Sequence, residues 1–350
     1  MKRVKYRANQ VKLNKNKMLF KNILIKVNAT VRQPNDMRMK IDAYKKKYKI
    51  KNIVACIFYG RKIYTNILFR YLDKNLRKNG GILDEIVILY HLQRKKVNIT
   101  IEESYLKKYL SEHTDGYRLV KFYGVASFKR LYTALQDNDL IFKIDDDIVF
   151  ISNGTFENMV EEYLNKSHFI LSANVINHHT FSMIHSQRKL MQDFYERPDK
   201  TWVKTETKSV KSYSKNCITS SISWIVNPKC VAIAHESFLY NIYKNKFNLD
   251  AYNFKLHDFH RFGYNAWRIN FILFKGVLFN KIHSMVGSDE NILSQILPMS
   301  KKKHCYGIGS AVVAHFSYST YQQIQYLSKT NILEKYYNLS FNYFNLHISH

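Results

Sequence analysis

Leu140-Ile141-Phe142-Lys143-Ile144-Asp145-Asp146-Asp147-Ile148-Val149-Phe150-Ile151 is the stretch from which the rest of the chain can be read. Its first half is a short apolar run of the kind that forms a strand buried on both faces. It runs straight into three consecutive aspartates, and apolar residues resume at once. Carboxylates this close raise one another's pKa and ionise reluctantly together. A divalent cation removes that conflict, whereas a solvated acidic loop is rarely embedded so tightly in apolar sequence. A structural turn is the plain alternative. Hard oxygen ligands suit Mg²⁺ or Mn²⁺. Alternate residues of an extended segment face the same way, so Asp145 and Asp147 can share one ion while Asp146 points elsewhere.

Upstream, strand-like and helix-like patterns alternate. Ile53–Gly60 is an apolar run ending in glycine, and Arg61–Lys78 has helical spacing up to Gly80-Gly81. Asp84–Tyr90 reads as a strand, Ile101–Glu112 as a helix, Tyr117–Tyr123 as a strand and Ser127–Gln136 as a helix. Beyond the triplet, Phe156–Asn165 is helical and Phe169–Ala173 a strand. Regular alternation over residues 52–175 predicts a parallel, doubly wound α/β layer. Ligands bind such layers at the carboxyl ends of strands, where the triplet stands.

The later half is less regular. Residues 179–225 read as a polar insertion and 229–247 as a helix. Residues 257–280 hold two strand-like runs, and Ser288–Leu297 is a helix halted near Pro298. Gly307–Phe316 is an apolar run, and Thr320–Asn338 a closing amphipathic helix. There is no internal repeat.

Residues 1–51 carry 17 Lys/Arg and 2 Asp, +15 of a net +28, and lack clear periodicity. They read as a basic extension, with order starting at Asn52. A basic excess suits anionic partners but selects none. Cys56, Cys217, Cys230 and Cys305 form no CxxC pair and suggest neither a disulfide framework nor a zinc site. The best N-terminal apolar stretch, Met18–Val27, is broken by Lys21 and Lys26, too short to span a membrane and without a signal-peptide cleavage pattern. Sequons occur at Asn28, Asn98, Asn153, Asn165 and Asn338. A glycan on Asn153, so soon after the triplet, is expected to crowd a site there, which favours a cytoplasmic enzyme.

Phe142–Phe150 resembles the DxD motif of GT-A-fold glycosyltransferases. The resemblance covers roughly residues 52–338 and includes Leu171–Asn177, Ser288-Asp289-Glu290-Asn291 and Gly309–Ser317 in the same order. The combination is similar to that of poorly characterised GT-A enzymes of fungi and large DNA viruses. It implies a single large α/β domain with a GT-A, Rossmann-like mixed central sheet flanked by helices. Within it, 1–51 is the basic extension, 52–178 the nucleotide-sugar-binding half, and 179–350 the acceptor-binding and catalytic half with the C-terminal helix. It also implies a glycosyltransferase that moves a sugar from a nucleotide-diphosphate sugar, UDP-linked by default, to a glycan or glycoprotein hydroxyl.

Carried over residue by residue, the resemblance gives Asp145 to the ribose and the metal's water shell. It makes Asp147 a direct ligand of Mn²⁺ or Mg²⁺ and His315 a late one, although a histidine inside an apolar run is equally a satisfied core residue. Tyr59 and Gly60 are expected near the nucleotide base, and Asp145 and Asp146 on the nucleotide side of the ion. An inverting transfer needs a base for the acceptor hydroxyl. Asp289 is the first candidate and Glu290 its rival, though carboxylates in a helix's first turn are also common for stability alone. Asp258 is a further catalytic candidate and Arg261 a phosphate-binding one, from the cluster His257–Gly263. Trp224 and Trp267 suit either sugar stacking or the core. The competing function is a metal-dependent nucleotidyltransferase or other phosphate-processing enzyme acting on nucleic acid. No GxxxxGK[ST] phosphate loop supports it. Non-catalytic nucleic-acid binding conflicts with the embedded acids, so no nucleic-acid partner is expected. The basic N-terminus suits peripheral contact with an anionic surface.

Overall fold

Residues 34–91, 99–122, 135–205, 217, 227–278, 285, 287–318 and 321–345 are described by the structure, a computed structural model. The chain enters through a helix, α1 (Pro34–Tyr48). Met37, Ile41, Tyr44 and Tyr48 fall at helical spacing and pack against the core, with Ile41 wholly buried. Lys40 reaches Glu161 over 2.5 Å and Lys45 reaches Asp84 over 2.7 Å. Order therefore begins well before Asn52. The dense lysines hid an amphipathic stripe of four residues.

The predicted alternation follows. β1 (Ile53–Tyr59), α2 (Lys62–Asn75), β2 (Glu85–His91), α3 (Ile99–Glu112), β3 (Tyr117–Phe122) and β4 (Leu140–Asp145) appear in order. β1 pairs in parallel with β2 and β4, and β2 with β3. Most of the helix expected at Ser127–Gln136 lies outside the described residues. After the triplet come β5 (Ile148–Ile151), α4 (Thr155–Lys166), β6 (Ile170–Ile176), α5 (His179–Gln187), and the hairpin β7 (Phe194–Glu196) and β8 (Trp202–Lys204). The insertion expected at 179–225 thus opens with a helix and a hairpin.

α6 (Pro228–Lys244) starts under an Asn227 cap, and β9 (His257–Asp258) and β10 (Phe271–Lys275) follow. α7 (289–301) joins an α-turn Asp289–Asn291, a π-helical stretch Ile292–Ile296 and a last α-segment Leu297–Lys301. Pro298 does not halt it. Proline lacks an N–H and clashes with the carbonyl four residues back, and the wider π turn ahead of it relieves both defects. β11 (Cys305–His315) is followed by α8 (Tyr321–Leu327) and α9 (Ile332–Asn345), two helices where one was expected.

Apart from the β7–β8 hairpin, the strands of the described residues form one nine-stranded mixed sheet in the order β3-β2-β1-β4-β10-β6-β11-β5, with β9 also paired to β11. β10, from the later half, is antiparallel to both β4 and β6 and joins the two halves into one layer. β6 and β11 are parallel to each other, so β1, β4, β6 and β11 all end at the same edge. Three strands separate β4 from β5, and a flat sheet puts them roughly 19 Å apart. Asp146 and Asp147 alone link them, and three Cα steps reach at most about 11 Å. The sheet has to curl, which sets β5 against α2 and brings the end of β11 back to the end of β4.

Contrary to the sequence reading, Cys217 and Cys230 form a disulfide, while Cys56 and Cys305 are free and buried. The half-cystines are 13 residues apart with no motif around them, so spacing did not announce the pair. Among the described residues no helix is long and apolar enough to cross a membrane.

Two outcomes follow from this packing. Ile41→Ala should lower the unfolding free energy, measured in urea, by about 2–4 kcal/mol. An unchanged midpoint would mean that α1 is not docked. Under denaturing, non-reducing conditions a maleimide should label two of the four cysteines, and all four after reduction. Four labels without reduction would remove the disulfide.

Candidate functional site

The curl gathers the sequence-predicted metal ligands. Asp145 ends β4, Asp147 precedes β5, and His315 ends β11 directly beside Ile148. A register shift between Ala314 and His315 puts a bulge here, and such bulges re-aim the side chain next to them. The Phe316 amide donates to the Asp147 carbonyl over 2.8 Å, tying the strand end to the triplet. Asn177 donates its side-chain amide to the carbonyls of His315 and Phe316. His235 fixes the same carbonyl: Nε2–H donates to Phe316 over 2.9 Å while Nδ1 accepts from the Tyr336 hydroxyl. Burial pushes the His235 pKa down to about 4, which keeps it neutral in that role.

One donor atom each of Asp145, Asp147 and His315 lies within 4.8 Å of the others, a group that can hold a metal ion. His315 Nε2 stands 3.2 Å from Asp147 Oδ1 and 4.0 Å from Asp145 Oδ2. Asp147 and His315 are almost fully buried, and Asp145 is about a quarter exposed. Asp146 is turned away and takes the Arg61 guanidinium on both oxygens, at 2.6 and 3.2 Å. Arg61 Nη2 also lies 2.9 Å from Asp147 Oδ2 but is not aligned as a donor, so that buried oxygen accepts no hydrogen bond. His315 Nδ1 is likewise buried without a partner.

The donor set fits a hard divalent cation: two carboxylates and an imidazole, with a buried lone pair still unused on Asp147. Burial by itself raises the Asp147 pKa, but the Arg61 charge and the adjoining His315 outweigh it and hold the carboxyl below its ordinary range. It is thus ready as an anionic ligand.

Residues that sequence reading passed over complete the surroundings. Lys143 is buried on β4, bonds Asp145 Oδ1, and donates to the Ile269 carbonyl over 3.0 Å. Burial lowers its pKa, yet Asp145 and Asp289 more than compensate and keep it charged. Asn270, just before β10, donates to Asp145 Oδ2 over 2.9 Å. Arg268 bonds Glu290 over 2.7 Å and lies over the Tyr318 ring, which packs beside His315. A lysine inside an apolar run is the one signal that could have flagged Lys143. Arg61, Arg268 and Asn270 have no motif of their own.

The first turn of α7 reaches the same edge. Ser288 caps it, accepting from the Asn291 amide over 3.2 Å. Asp289 Oδ1 accepts from the Glu290 amide, and Glu290 is held by Arg268. Lys143 feels the charges of Asp145, Asp289 and Glu290 together, so the acidic pair lies within electrostatic reach of the triplet's lysine.

Other candidates are placed elsewhere. Asp258 faces Tyr306, whose partner on β6 is Leu171, whereas Ala314 faces Ile176; those five steps along β6 span roughly 17 Å. Asp258 instead bonds His304 Nδ1 over 2.7 Å at the opposite edge of the sheet. Arg261 lies on an exposed turn over Phe262. The aromatic and charged composition of 257–263 resembled a ligand site, but β9 runs antiparallel to β11 and carries the cluster away. The Tyr59 hydroxyl bonds the buried Glu102, so it faces α3 rather than an open site; Gly60 is buried beside it. Trp267 stacks on Phe259 at 4.1 Å within the core, and Trp224 lies outside the described residues.

No protein-family model and no curated protein matches the chain. Among solved structures, it is similar to GalNAc-T7 bound to UDP, GalNAc and Mn²⁺, at 8% identity and a TM-score of 0.40, over 77% of this chain and 43% of that one. It is also similar to the mannosyltransferase PcManGT from Pyrobaculum calidifontis bound to GDP-Man and Mn²⁺, at 9% identity and a TM-score of 0.41, over 85% of this chain and 71% of that one.

If the three-residue group is the metal site, Mn²⁺ should raise the thermal midpoint of the wild-type chain. A ligand at a hundred times its Kd stabilises by about 2.7 kcal/mol. Asp147→Asn and His315→Ala should lose most of that gain, and Asp146→Asn should keep most of it. Equal loss in Asp146→Asn and Asp147→Asn would contradict the ligand assignment.

Proposed function

We propose that the chain is a metal-dependent glycosyltransferase of the GT-A type, using a nucleotide-sugar donor. The observation that carries this reading is the convergence of Asp145, Asp147 and His315 at the carboxyl edge of an α/β sheet, with the acidic start of α7 across from them. Asp145, Asp147 and His315 would hold Mn²⁺, or Mg²⁺ in its place. A bound divalent cation supplies positive charge to a diphosphate leaving group. Arg61 and Lys143 add fixed positive charge on the same side.

On the acceptor side we assign the base to Asp289. Glu290 is committed to Arg268, which in turn covers Tyr318 and so braces the wall beside His315. Asp289 takes the proton of an acceptor hydroxyl as its oxygen bonds to the anomeric carbon, while the bond from that carbon to the diphosphate oxygen breaks. A UDP-linked donor and a glycan or glycoprotein acceptor are the substrates we favour. Asp258 and Arg261 are given no step, because β11 separates them from the triplet.

We also place the enzyme in an oxidising compartment rather than the cytoplasm. β5 leads the chain roughly 13 Å from the triplet before Asn153, so a glycan there leaves the site open. Asn153, Asn165 and Asn338 are all exposed, and the Cys217–Cys230 bond is of a kind that persists in secretory lumina.

A thermal-shift panel of UDP- and GDP-sugars, with and without Mn²⁺, tests the reading. One donor should stabilise the chain strongly, and only with metal. Hydrolysis or transfer of that donor should fall by at least about a hundredfold in Asp289→Asn, the range lost with a general base. Stabilisation by DNA or RNA and by no nucleotide sugar would instead support a nucleic-acid-directed phosphate enzyme.

A further inference from the structure

Arg61 stands between β1 and α2, with its guanidinium on Asp146 and within 2.9 Å of Asp147 Oδ2. That oxygen is buried without an aligned hydrogen bond, and it belongs to a residue of the metal group. A guanidinium against Asp147 and a divalent cation on it compete for the same carboxylate. The contact is therefore a brake on metal binding as well as a counter-charge.

Local charge shows when the brake is released. Counting only the triplet and the two cations paired to it, the three aspartates carry −3 and Arg61 with Lys143 offsets two of these, leaving −1 before any contribution from His315, Arg268 or the acidic start of α7. A divalent cation alone turns that sum to +1, with the ion set directly against Arg61. A nucleotide sugar brings two negative charges on its diphosphate and returns the sum to −1. Arg61's planar fork matches a diphosphate as well as it matches a carboxylate. The Arg61 side chain keeps a quarter of its surface open and its guanidinium is flanked by the Tyr64 ring at 4.8 Å, so it can swing without leaving its shelf. Most amides at the start of α2 are already engaged. The Lys62 amide is spent on Glu102, and the Tyr64 and Thr65 amides on the Arg61 carbonyl.

We propose that Arg61 is an exchangeable counter-charge, holding Asp147 when no metal is present and passing to the donor diphosphate when metal and nucleotide bind, so that the two ligands are taken up together. The nucleotide half of this proposal rests on the glycosyltransferase reading. The Asp147 half does not.

Isothermal titration of the full chain separates the two halves. Mn²⁺ is titrated alone and in saturating UDP, for wild type, Arg61→Met and Arg61→Lys, with circular dichroism to confirm folding. Metal coordination by phosphate couples UDP to Mn²⁺ in every protein, so the readout is the difference between them. Arg61→Met should bind Mn²⁺ alone roughly tenfold more tightly than wild type, and UDP should strengthen its Mn²⁺ binding by roughly tenfold less, within the usual range of coupling between sites. Arg61→Lys keeps the charge without the fork and should retain the weak Mn²⁺ binding while losing part of the coupling. Should Arg61→Met fail to fold, Arg61→Lys carries the test by that loss. Unchanged or weaker Mn²⁺ binding in Arg61→Met would overturn the brake. Equal coupling in all three proteins would overturn the exchange. If neither UDP nor GDP binds the wild type with metal, the nucleotide half falls together with the glycosyltransferase reading, and the Mn²⁺ arm still decides the competition at Asp147.

Discussion

The link between β4 and β5 is two residues long, and three strands of the sheet lie between the strands it joins. A flat sheet cannot be built on that connection. Curling is the only way to keep each strand hydrogen-bonded, and the curl has a definite chemical result. It folds the end of β11 against the start of β5, which sets an imidazole from position 315 against carboxylates from 145 and 147. The metal group is thus not added to a finished fold. The same two aspartates close the sheet and furnish the ligand and its counter-ion partner, so a change in the length of this link would lose strand pairing and site together.

Holding three carboxylates at that joint has an electrostatic cost, and the surrounding elements share it. Asp145 receives Lys143 from its own strand and Asn270 from the entry to β10. Asp146 receives Arg61 from the β1–α2 junction. Asp147 is left with a histidine, a misaligned arginine and an unsatisfied oxygen. Its ion pair with Arg61 lacks an aligned donor, so the least well satisfied carboxylate is the one best placed to gain from a cation. The nearby imidazoles do not add charge. His178 and His235 are driven by burial to pKa values of about 3 and 4, and each has both ring nitrogens satisfied as the neutral tautomer. Positive charge at this edge comes from Arg61, Lys143, Arg268 and whatever ion the group binds.

What the sequence revealed depended on local periodicity. The strands and helices from Ile53 to Ile176 show their period within a dozen residues, and the triplet announces itself by its apolar brackets. The insertion of β10 between β4 and β6 is a long-range pairing with no local trace, so local alternation read only a parallel layer and the mixed sheet was expected from the family resemblance alone. The helix at 34–48 was concealed because lysines fill the positions between its four core-facing residues. His315 was legible as a candidate only through family resemblance, and the same reading put Asp258 near the site although the sheet holds it at the other end of β11. Both sit in aromatic, apolar surroundings, but only the register of β11 tells which end of the strand each occupies.

The register of β11 also explains how one strand serves two ends of the molecule. Between Ile308 and Val312 it advances by a single residue against β6, so Gly309, Ser310 and Ala311 are looped out. A side chain on Gly309 would lie 2.2 Å from the Phe254 backbone, which is why glycine holds that position. On one side of the bulge β11 pairs with β9, and on the other with β5. The bulge lets the strand change partners without a break in the sheet, and it shortens the path from Tyr306 to His315 enough to deliver the histidine level with the end of β6. Removing the bulge would push His315 beyond the triplet while leaving every element in place. The site therefore depends on the backbone of a glycine segment that touches none of its ligands.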